Sequence, residues 1–438
     1  MSELSTRQDV NGDINKVFPE DVPVHRWYRF VLSFPPHLVR EYIARFELNK
    51  QHRVLDPFCG TGTTLVECKK LGIASVGLEA NPVAQFASRV KVDWSVPSQK
   101  LVQHAEKVAE ATYKDLEETG IYDTMDCSGF VNGRALRTLE PCLESLLLTG
   151  SISPLPLHKT LVLLHHLEKH HDARLYEHER LAVAKALVYG IGNLRFGPEV
   201  SVGLQKSDVP VVATWLTNIY AMAQDLNKVW ANATVPAEVY LADARYPEEV
   251  LEPSSIDAVI TSPPYPNEKD YTRTTRLEAV LLGFVRDKAD LRAMKQGLVR
   301  SNTRNVYKDD DDDRWVAGHP EVERISKEIE ERRMALKKTS GFERLYSKVA
   351  KLYFGGMARH LAGLRPYLRP GARLAYVVGD QASYLRVMIR TGEILGDIAQ
   401  RLGYELEEIA LFRTRMATAT REQLREEVVV LRWPGRSL

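Results

Sequence analysis

The sequence predicts a doubly wound α/β domain with a mostly parallel, seven-stranded sheet and a large helical insertion. Near the N-terminus a strand, a Gly-rich turn, a helix and a second strand follow one another, and this βαβ order predicts parallel pairing. About 140 residues of helical pattern then intervene before strand patterns return. The chain closes on two β-rich segments, which predict an antiparallel hairpin at one end of the sheet.

The elements of this domain can be assigned in order. A helical pattern opened by Pro35 and Pro36 precedes the first strand, and another helix follows that strand through about Leu71. A long helix, LYSKVAKLYFGGMARHLAGLRPYL, precedes the fifth strand. The predicted strands are RVLDPF, ASVGLEA, AEVYLADA, IDAVITSPPY, ARLAYVVGD, ELEEIALFRT and EEVVVLRW. Ligands of such a sheet bind at the carboxyl ends of its strands, so the residues that follow the strands are the candidate site.

Composition narrows the class of protein. The 59 Lys and Arg nearly balance the 58 Asp and Glu in 438 residues, so a nucleic-acid partner would need a local basic patch. The four cysteines form no CxxC pair, which favours reduced thiols inside a cell. We find no signal segment and no apolar run of membrane-spanning length, and therefore expect a cytoplasmic protein without a membrane partner.

The Gly-rich turn lies in VLDPFCGTGTTLVE, residues 54–67. Thr63 follows Gly62 where a phosphate loop needs Lys, and Leu65 occupies the third glycine position of a dinucleotide fingerprint. A dinucleotide, a phosphate, S-adenosylmethionine or no ligand at all remain open for such a turn. Glu79 ends the next strand, where a carboxylate can accept both hydroxyls of a ribose, and this favours a nucleoside ligand.

A second motif, TSPPY, follows the strand IDAVI directly. Two prolines make a rigid turn and leave its carbonyls free as acceptors. An exocyclic amine on a planar ring can donate to Ser262 Oγ and the Pro263 carbonyl while Tyr265 stacks on the ring. These acceptors would raise the nucleophilicity of the conjugated amine in the transition state. The candidate catalytic residues are Ser262, Pro263, Pro264 and Tyr265.

DPFCGTGTT together with TSPPY resembles the amino-group DNA methyltransferases, and the SPPY form resembles their cytosine-N4 branch most closely. The resemblance implies a Rossmann-like core, S-adenosylmethionine as cofactor, and direct methyl transfer to a base flipped out of DNA. It also implies a restriction-modification setting with a cognate restriction endonuclease. The cofactor residues that it implies are Phe34, Pro35, Asp56, Phe58, Gly60, Gly62, Thr63, Glu79 and Asp243. Here the loop precedes the SPPY turn by about 200 residues, whereas many SPPY enzymes have the reverse order.

This interpretation divides the chain into five segments. The methyltransferase core is split by two insertions, either of which could recognise the target sequence. The segments are 1–95 (N-terminal segment and cofactor half of the core), 96–235 (helical insertion), 236–265 (core strands with the SPPY turn), 266–345 (polar and basic insertion) and 346–438 (C-terminal half of the core).

Two stretches that interleave cations with hydroxyls or aromatics are candidates for DNA contact, the first next to the SPPY turn and the second in a later loop. They contribute Lys269, Tyr271, Arg273 and Arg276 from KDYTRTTR, and Arg300 and Arg304 from LVRSNTRNVYK. The five aspartates at 309–313 would repel phosphate, and we expect them to face away from DNA or to lie in a mobile loop.

Other motifs receive a structural interpretation. The histidines of LHKTLVLLHHLEKHH are expected on a structural helix, so no metal site is predicted. Pro141 opens a helix, and Cys142 is not expected to be the nucleophile of a cytosine-C5 enzyme. NLRFGPEVSVG is expected to be a loop between helices that connects them, touches DNA or closes over the site.

Three other functions stay open at this point. Adenine-N6 methylation uses the same chemistry on a different ring. Amino-group methylation of tRNA or rRNA uses a similar loop and PP-aromatic turn, usually with Asp at the position of Ser262. A nucleic-acid-binding protein without catalysis could also keep this fold.

Overall fold

The computed structural model describes residues 18–29, 33–124, 135–197, 200–267, 269–416 and 423–435. Its strands are β1 (Arg53–Asp56), β2 (Ala74–Glu79), β3 (Leu194–Phe196), β4 (Val200–Val202), β5 (Ala237–Leu241), β6 (Ile256–Thr261), β7 (Leu368–Gly379), β8 (Glu405–Met416) and β9 (Gln423–Arg432). Its helices are α1 (Val22–His25), α2 (Pro36–Arg45), α3 (Thr63–Lys70), α4 (Pro82–Val92), α5 (Ser98–Glu118), α6 (Pro141–Glu144), α7 (Pro154–Lys169), α8 (Tyr176–Ala186), α9 (Val211–Val229), α10 (Tyr271–Thr274), α11 (Arg276–Leu281), α12 (Lys288–Gln296), α13 (Pro320–Ala335), α14 (Tyr346–Leu364) and α15 (Thr391–Arg401).

One seven-stranded sheet forms the core, in the spatial order β5, β2, β1, β6, β7, β9, β8. The first five strands pair in parallel, and β9 pairs antiparallel with both β7 and β8. All seven predicted strands and the closing hairpin are therefore confirmed. The chain winds outward from β1 in one direction and from β6 in the other, so the loops after these two strands meet at the switch point of the sheet.

Helices cover both faces of the sheet because its inner strands are apolar on both sides. Val54 of β1 packs with α2 on one face, and the next residue, Leu55, packs with α14 on the other. Ile260 and Val259 of β6 divide between the same two clusters. This alternation confirms the doubly wound α/β prediction.

The first insertion is mainly helical. Helices α5, α7, α8 and α9 share one buried cluster, to which Leu101, Leu163, Ala184 and Trp215 contribute. The prediction of a plain loop in NLRFGPEVSVG is wrong, since β3 and β4 form a short antiparallel hairpin there, with Leu194 opposite Val202. In the part of the chain that the structure describes, no helix is both long and apolar enough to cross a membrane.

The cysteines and possible metal-ligand clusters can be followed in the described ranges. Cys59, Cys68 and Cys142 are free thiols, and Cys127 lies outside the described residues. Across the described ranges, no three His, Cys, Asp or Glu side chains converge as a metal ion would require.

The aspartate run of the second insertion is not a solvated loop. Asp312 is buried and its carboxylate pairs with Arg245 at 2.5 Å and with Arg359 of α14 at 3.1 Å. Asp310 pairs with Arg300 at 2.8 Å. Asp310 and Asp312 are therefore structural partners of buried arginines rather than parts of a mobile loop, while the expectation that the run faces away from DNA stays a prediction.

We expect Gly355→Ala to destabilise the packing of the second insertion against α14. A Cβ at Gly355 of α14 would lie far inside van der Waals distance of the backbone carbonyl of Asp312, and backbone cannot swing away as a flexible side chain does. Overpacking of this kind destabilises a protein by about 1–3 kcal/mol. Urea unfolding should show a lower midpoint, whereas Gly341→Ala, where a Cβ meets nothing within 4 Å, should leave it unchanged. Equal midpoints for both variants would contradict the packing.

Candidate active site

The ends of β1 and β6 are tied together by a buried hydrogen bond. Thr261 Oγ1, at the end of β6, donates to Asp56 Oδ1, at the end of β1, over 2.6 Å. The Gly-rich turn starts after Asp56 and the SPPY turn starts after Thr261. The two motifs, separated by about 200 residues in sequence, therefore leave the sheet side by side.

Both motifs open into one cavity of about 640 Å³. It extends from the Gly-rich turn across the sheet edge to the segment after β7 and the β8–β9 hairpin. The predicted residues that line it are Phe34, Pro35, Phe58, Gly60, Thr63, Glu79, Asp243, Ser262, Pro263, Pro264, Tyr265, Lys269 and Tyr271. Asp56, Gly62, Arg273, Arg276, Arg300 and Arg304 do not line it.

The two glycines of the turn have different roles. Gly60 and Gly62 both have left-handed φ angles, of 51° and 83°, which glycine adopts without strain. A Cβ at Gly62 would lie 2.5 Å from Ser88 Oγ, so this glycine allows the turn to pack on α4. A Cβ at Gly60 would meet nothing within 4 Å, so bare backbone faces the cavity there and α3 begins three residues later. This surface suits close approach of a ligand.

Glu79 braces the turn from the end of β2. Its Oε2 accepts from Gly60 N at 2.9 Å, and its Oε1 accepts from Asn81 N at 2.8 Å. Burial raises the pKa of Glu79 to about 7. Each carboxylate oxygen can accept a further hydrogen bond, so Glu79 can hold the turn and still bind hydroxyl groups in the cavity.

Asp56 lies directly behind the cavity wall. Its Oδ1 accepts from Thr261 and from Phe58 N at 3.2 Å. Its Oδ2 is buried and has no hydrogen-bond partner among the described residues. Burial raises the pKa of this carboxyl to about 6.

Asp243 is held in place by Arg245. The guanidinium and the backbone amide of Arg245 both donate to the Asp243 carboxylate, at 2.5–3.0 Å. Arg245 also donates to the Gln296 carbonyl at 2.9 Å, and the residues after Gln296 line the cavity. One arginine therefore fixes both an acid of the cavity wall and the start of a loop at its edge.

The SPPY turn presents acceptors to the cavity. Ser262 Oγ donates to the Val377 carbonyl over 3.2 Å, which leaves its oxygen lone pairs free to accept. The Tyr265 ring packs against Gly379, where a Cβ would lie 3.0 Å from Tyr265 Cε2. Burial raises the pKa of the Tyr265 phenol, so the ring stays neutral.

The sequence reasoning missed the residues that β7 and the closing hairpin bring to the cavity. Gln381 and Ser383 follow β7, and Arg413, Arg415 and Glu426 come from the hairpin. The available signal was the position of VVGDQAS at the carboxyl end of a parallel strand. Its adjacency to the SPPY turn follows from the strand order, which no local pattern encodes.

The candidate DNA-contact residues of KDYTRTTR and LVRSNTRNVYK are divided by the structure. Lys269 and Tyr271 line the cavity beside the SPPY turn. Arg273 lies outside the cavity, and so does Arg304, whose guanidinium packs over the Phe342 ring at 5.8 Å.

Arg276 and Arg300 require a correction, because both are buried and already engaged by the protein. Arg276 donates to the Leu146 carbonyl at 3.2 Å and to Thr272 Oγ1 at 3.0 Å. Arg300 pairs with Asp310 and donates to the Lys295 and Gln296 carbonyls at the end of α12. Their guanidinium groups therefore serve the fold and leave no exposed surface for a phosphate.

The sequence of this chain is similar to those of known methyltransferases. A family model described as DNA methylase, the N6/N4 methyltransferases, matches residues 6–86. Type II methyltransferase M.AvaI of Nostoc sp. is 24% identical over 481 residues, covering 99% of this chain and 90% of its own. Type II methyltransferase M.BsoBI of Geobacillus stearothermophilus is 24% identical over 462 residues, with 98% and 87% covered. M.MjaII of Methanocaldococcus jannaschii is 38% identical over 69 residues, 16% of this chain and 13% of its own.

Residues 6–86 match the N6/N4 methyltransferase family model, and nearly the whole chain is similar to type II methyltransferases. The family that residues 6–86 match implies S-adenosylmethionine as the methyl donor and DNA as the substrate.

Asp56→Asn tests the electrostatics of the site. The folded pKa of Asp56, about 6, lies above its ordinary value of 3.8, so between pH 4 and 6 the native state retains a proton that the unfolded chain has lost. Wild-type stability should therefore fall, relative to the variant, as the pH rises from 4 to 7. We expect the difference in free energy of unfolding to change by about 1–3 kcal/mol over this range.

Urea titrations at several pH values measure this difference. Asp309→Asn, which removes an exposed carboxylate, is the matched control and should show no such trend. A difference between wild type and Asp56→Asn that does not vary with pH would show that Asp56 titrates normally.

Proposed function

We propose that this protein transfers a methyl group from S-adenosylmethionine to the exocyclic N4 amine of cytosine at a specific site in DNA. The single observation that carries the proposal is the shared cavity of the Gly-rich turn and the Ser262–Tyr265 turn. Serine at the first position of the PP-aromatic turn, as in the cytosine-N4 branch, supports cytosine over adenine. The match to a DNA methylase family over residues 6–86 supports DNA over RNA.

The residues around the Gly-rich turn fit the proposed cofactor. Gly60 leaves bare backbone at the cavity, and the Glu79 carboxylate has acceptor capacity for ribose hydroxyls. Asp243 lies on the cavity wall and is an acceptor for an adenine amine. The proposed cofactor-binding residues are Phe34, Pro35, Asp56, Phe58, Gly60, Gly62, Thr63, Glu79 and Asp243. When bound, this cofactor supplies an activated methyl group on a sulfonium.

The SPPY turn supplies the hydrogen-bond acceptors for the target amine. Ser262 Oγ and the Pro263 carbonyl accept the two amine protons, while Tyr265 stacks on the ring and holds it in the cavity. Because Ser262 directs its own proton to Val377, its lone pairs remain available to the amine. These acceptors draw the nitrogen lone pair out of conjugation, so their stabilisation grows as the transition state forms. Alignment of the two reactants supplies the rest of the acceleration.

The target base must leave the duplex, since a base stacked inside the double helix cannot reach the cavity between the two turns. Lys269 and Arg415 line the cavity and can neutralise the phosphates that flank the extruded nucleotide, whereas Arg413 pairs with Glu426 at 2.5 Å. A net charge of +1 for the whole chain makes such a local group necessary. Tyr271 remains a candidate for a contact beside the base, and Arg273 and Arg304 for contacts outside the cavity.

A restriction-modification role follows from the relatives. M.AvaI and M.BsoBI are named as type II methyltransferases and align with nearly the whole of this chain. We infer that this protein protects its host's DNA from a restriction endonuclease that reads the same sequence.

Methyl transfer to unmethylated genomic DNA from tritiated S-adenosylmethionine, followed by mass spectrometry of the nucleosides, tests the proposal. We expect N4-methylcytosine. Ser262→Ala should lower the rate by about 10²–10³-fold, as loss of one oriented hydrogen-bonding group does. Tyr265→Ala should lower it by about 10–100-fold, because stacking on an aromatic ring contributes about 1–3 kcal/mol.

Ser95→Ala and Tyr122→Ala, at exposed positions outside the cavity, are the controls and should keep wild-type rates. N6-methyladenine as the product would show that the same mechanism acts on adenine, and it would refute the cytosine assignment. Label in tRNA or rRNA with none in DNA would refute the DNA assignment.

Gly379→Ala tests how Tyr265 is positioned. The added Cβ would press on the Tyr265 ring at 3.0 Å and on the Glu426 side chain at 3.3 Å. We expect a loss of methyl transfer of about 10-fold or more, because displacing a group that aligns the substrate is costly. The affinity for S-adenosylhomocysteine, measured by calorimetry, should stay unchanged because an added Cβ at Gly379 meets Tyr265 and Glu426, and β7 lies two strands from the Gly-rich turn that follows β1. Loss of cofactor affinity together with activity would instead indicate a general collapse of the cavity.

A further inference from the structure

Gln381 is a buried polar residue in the segment that follows β7. Its side chain is only 3% exposed, and its Nε2 has no hydrogen-bond partner among the residues that the structure describes. Its backbone is fully occupied, since N donates to the Ile389 carbonyl at 3.1 Å and O accepts from Ile389 N at 2.7 Å. A buried amide without a partner costs stability, so a residue of this kind points to a ligand that completes it.

The position of Gln381 is set by the same strand that supports Tyr265. Gly379 ends β7 against the Tyr265 ring, and Asp380 N continues the ladder by donating to the Arg425 carbonyl at 2.8 Å. Residues two apart in extended chain face the same side, so Gln381 lies just beyond Gly379 on the Tyr265 side. Gln381 lines the same cavity as Ser262 and Tyr265.

We propose that Gln381 reads the ring of the flipped target base by donating its side-chain amide to the acceptor edge of cytosine, N3 and O2. The inference rests on the proposed function, because it assumes a base stacked on Tyr265 with its amine at Ser262. The last side-chain torsion of glutamine is broad, so the amide can turn toward the ring at little cost.

This contact discriminates between cytosine and adenine, the two candidate target bases. Along one edge of cytosine the amine is followed by two acceptors, N3 and O2. Adenine presents its amine and N1, then a C–H group where cytosine has O2. A donor placed beyond the amine therefore gains a hydrogen bond with cytosine that adenine cannot offer. Sites built to hydrogen-bond a substrate reject analogues that lack the partner group.

Gln381→Leu is the direct test, because it removes the amide, keeps the apolar stem and leaves both backbone bonds to Ile389 intact. The methylated sites are first identified in genomic DNA treated with the wild-type enzyme. Synthetic duplexes then carry one such site with cytosine or adenine at the target position. We expect kcat/KM on cytosine to fall by about 10–100-fold and the preference for cytosine over adenine to fall with it.

Two further measurements exclude a structural role. The thermal midpoint of Gln381→Leu should equal or exceed that of wild type, since the variant removes an unpaired buried amide. The Kd for S-adenosylhomocysteine should not change. Gln400→Leu makes the same replacement at an exposed position of α15 and should keep wild-type activity and base preference.

The outcomes separate this inference from the proposed function. Wild-type enzyme that forms no N4-methylcytosine refutes the proposed function itself. Wild-type activity with an unchanged cytosine preference in Gln381→Leu refutes the role of Gln381 alone. A lower thermal midpoint together with lower activity would make Gln381 a structural residue and would also overturn the inference.

Discussion

The hydrogen bond from Thr261 to Asp56 joins the two halves of the active site. It links neighbouring strands at the point where the chain changes its winding direction, and each strand delivers one motif to the same edge of the sheet. Because both side chains are buried, water cannot replace either partner. The distance between the Gly-rich turn and the SPPY turn is thus determined by strand pairing rather than by the long segment that separates them in sequence.

Buried ion pairs of Arg245 fix the positions of other residues around the cavity. Arg245 pairs with Asp243 on the cavity wall and with Asp312 in the second insertion, and it also fixes the Gln296 carbonyl at the start of a lining loop. Removing one member of such a buried pair costs about 3–5 kcal/mol, because the other charge is left without a partner. The second insertion is therefore part of the architecture of the site, even where it does not touch the ligand.

Local patterns in the sequence predicted the seven strands, the closing hairpin and both motifs, because strand periodicity and turn chemistry are encoded within short segments. Three-residue strands such as β3 and β4 are too short to give a periodic signal. The burial of Arg276 and Arg300 was missed because exposure of a cation depends on partners outside its own helix or turn. Gln381 and Gly379 reach the site through the pairing of β7 beside β6, and that strand order is a property of the whole sheet.

A crystal structure of the protein with S-adenosylhomocysteine and a duplex that carries its methylation site would test whether one cavity binds both the cofactor and the target base. We expect the sulfur of S-adenosylhomocysteine at the Gly60 turn. We expect an extruded cytosine to stack on Tyr265 with its amine at Ser262. A target base that remains stacked in the duplex, or a cofactor bound outside the shared cavity, would contradict the account.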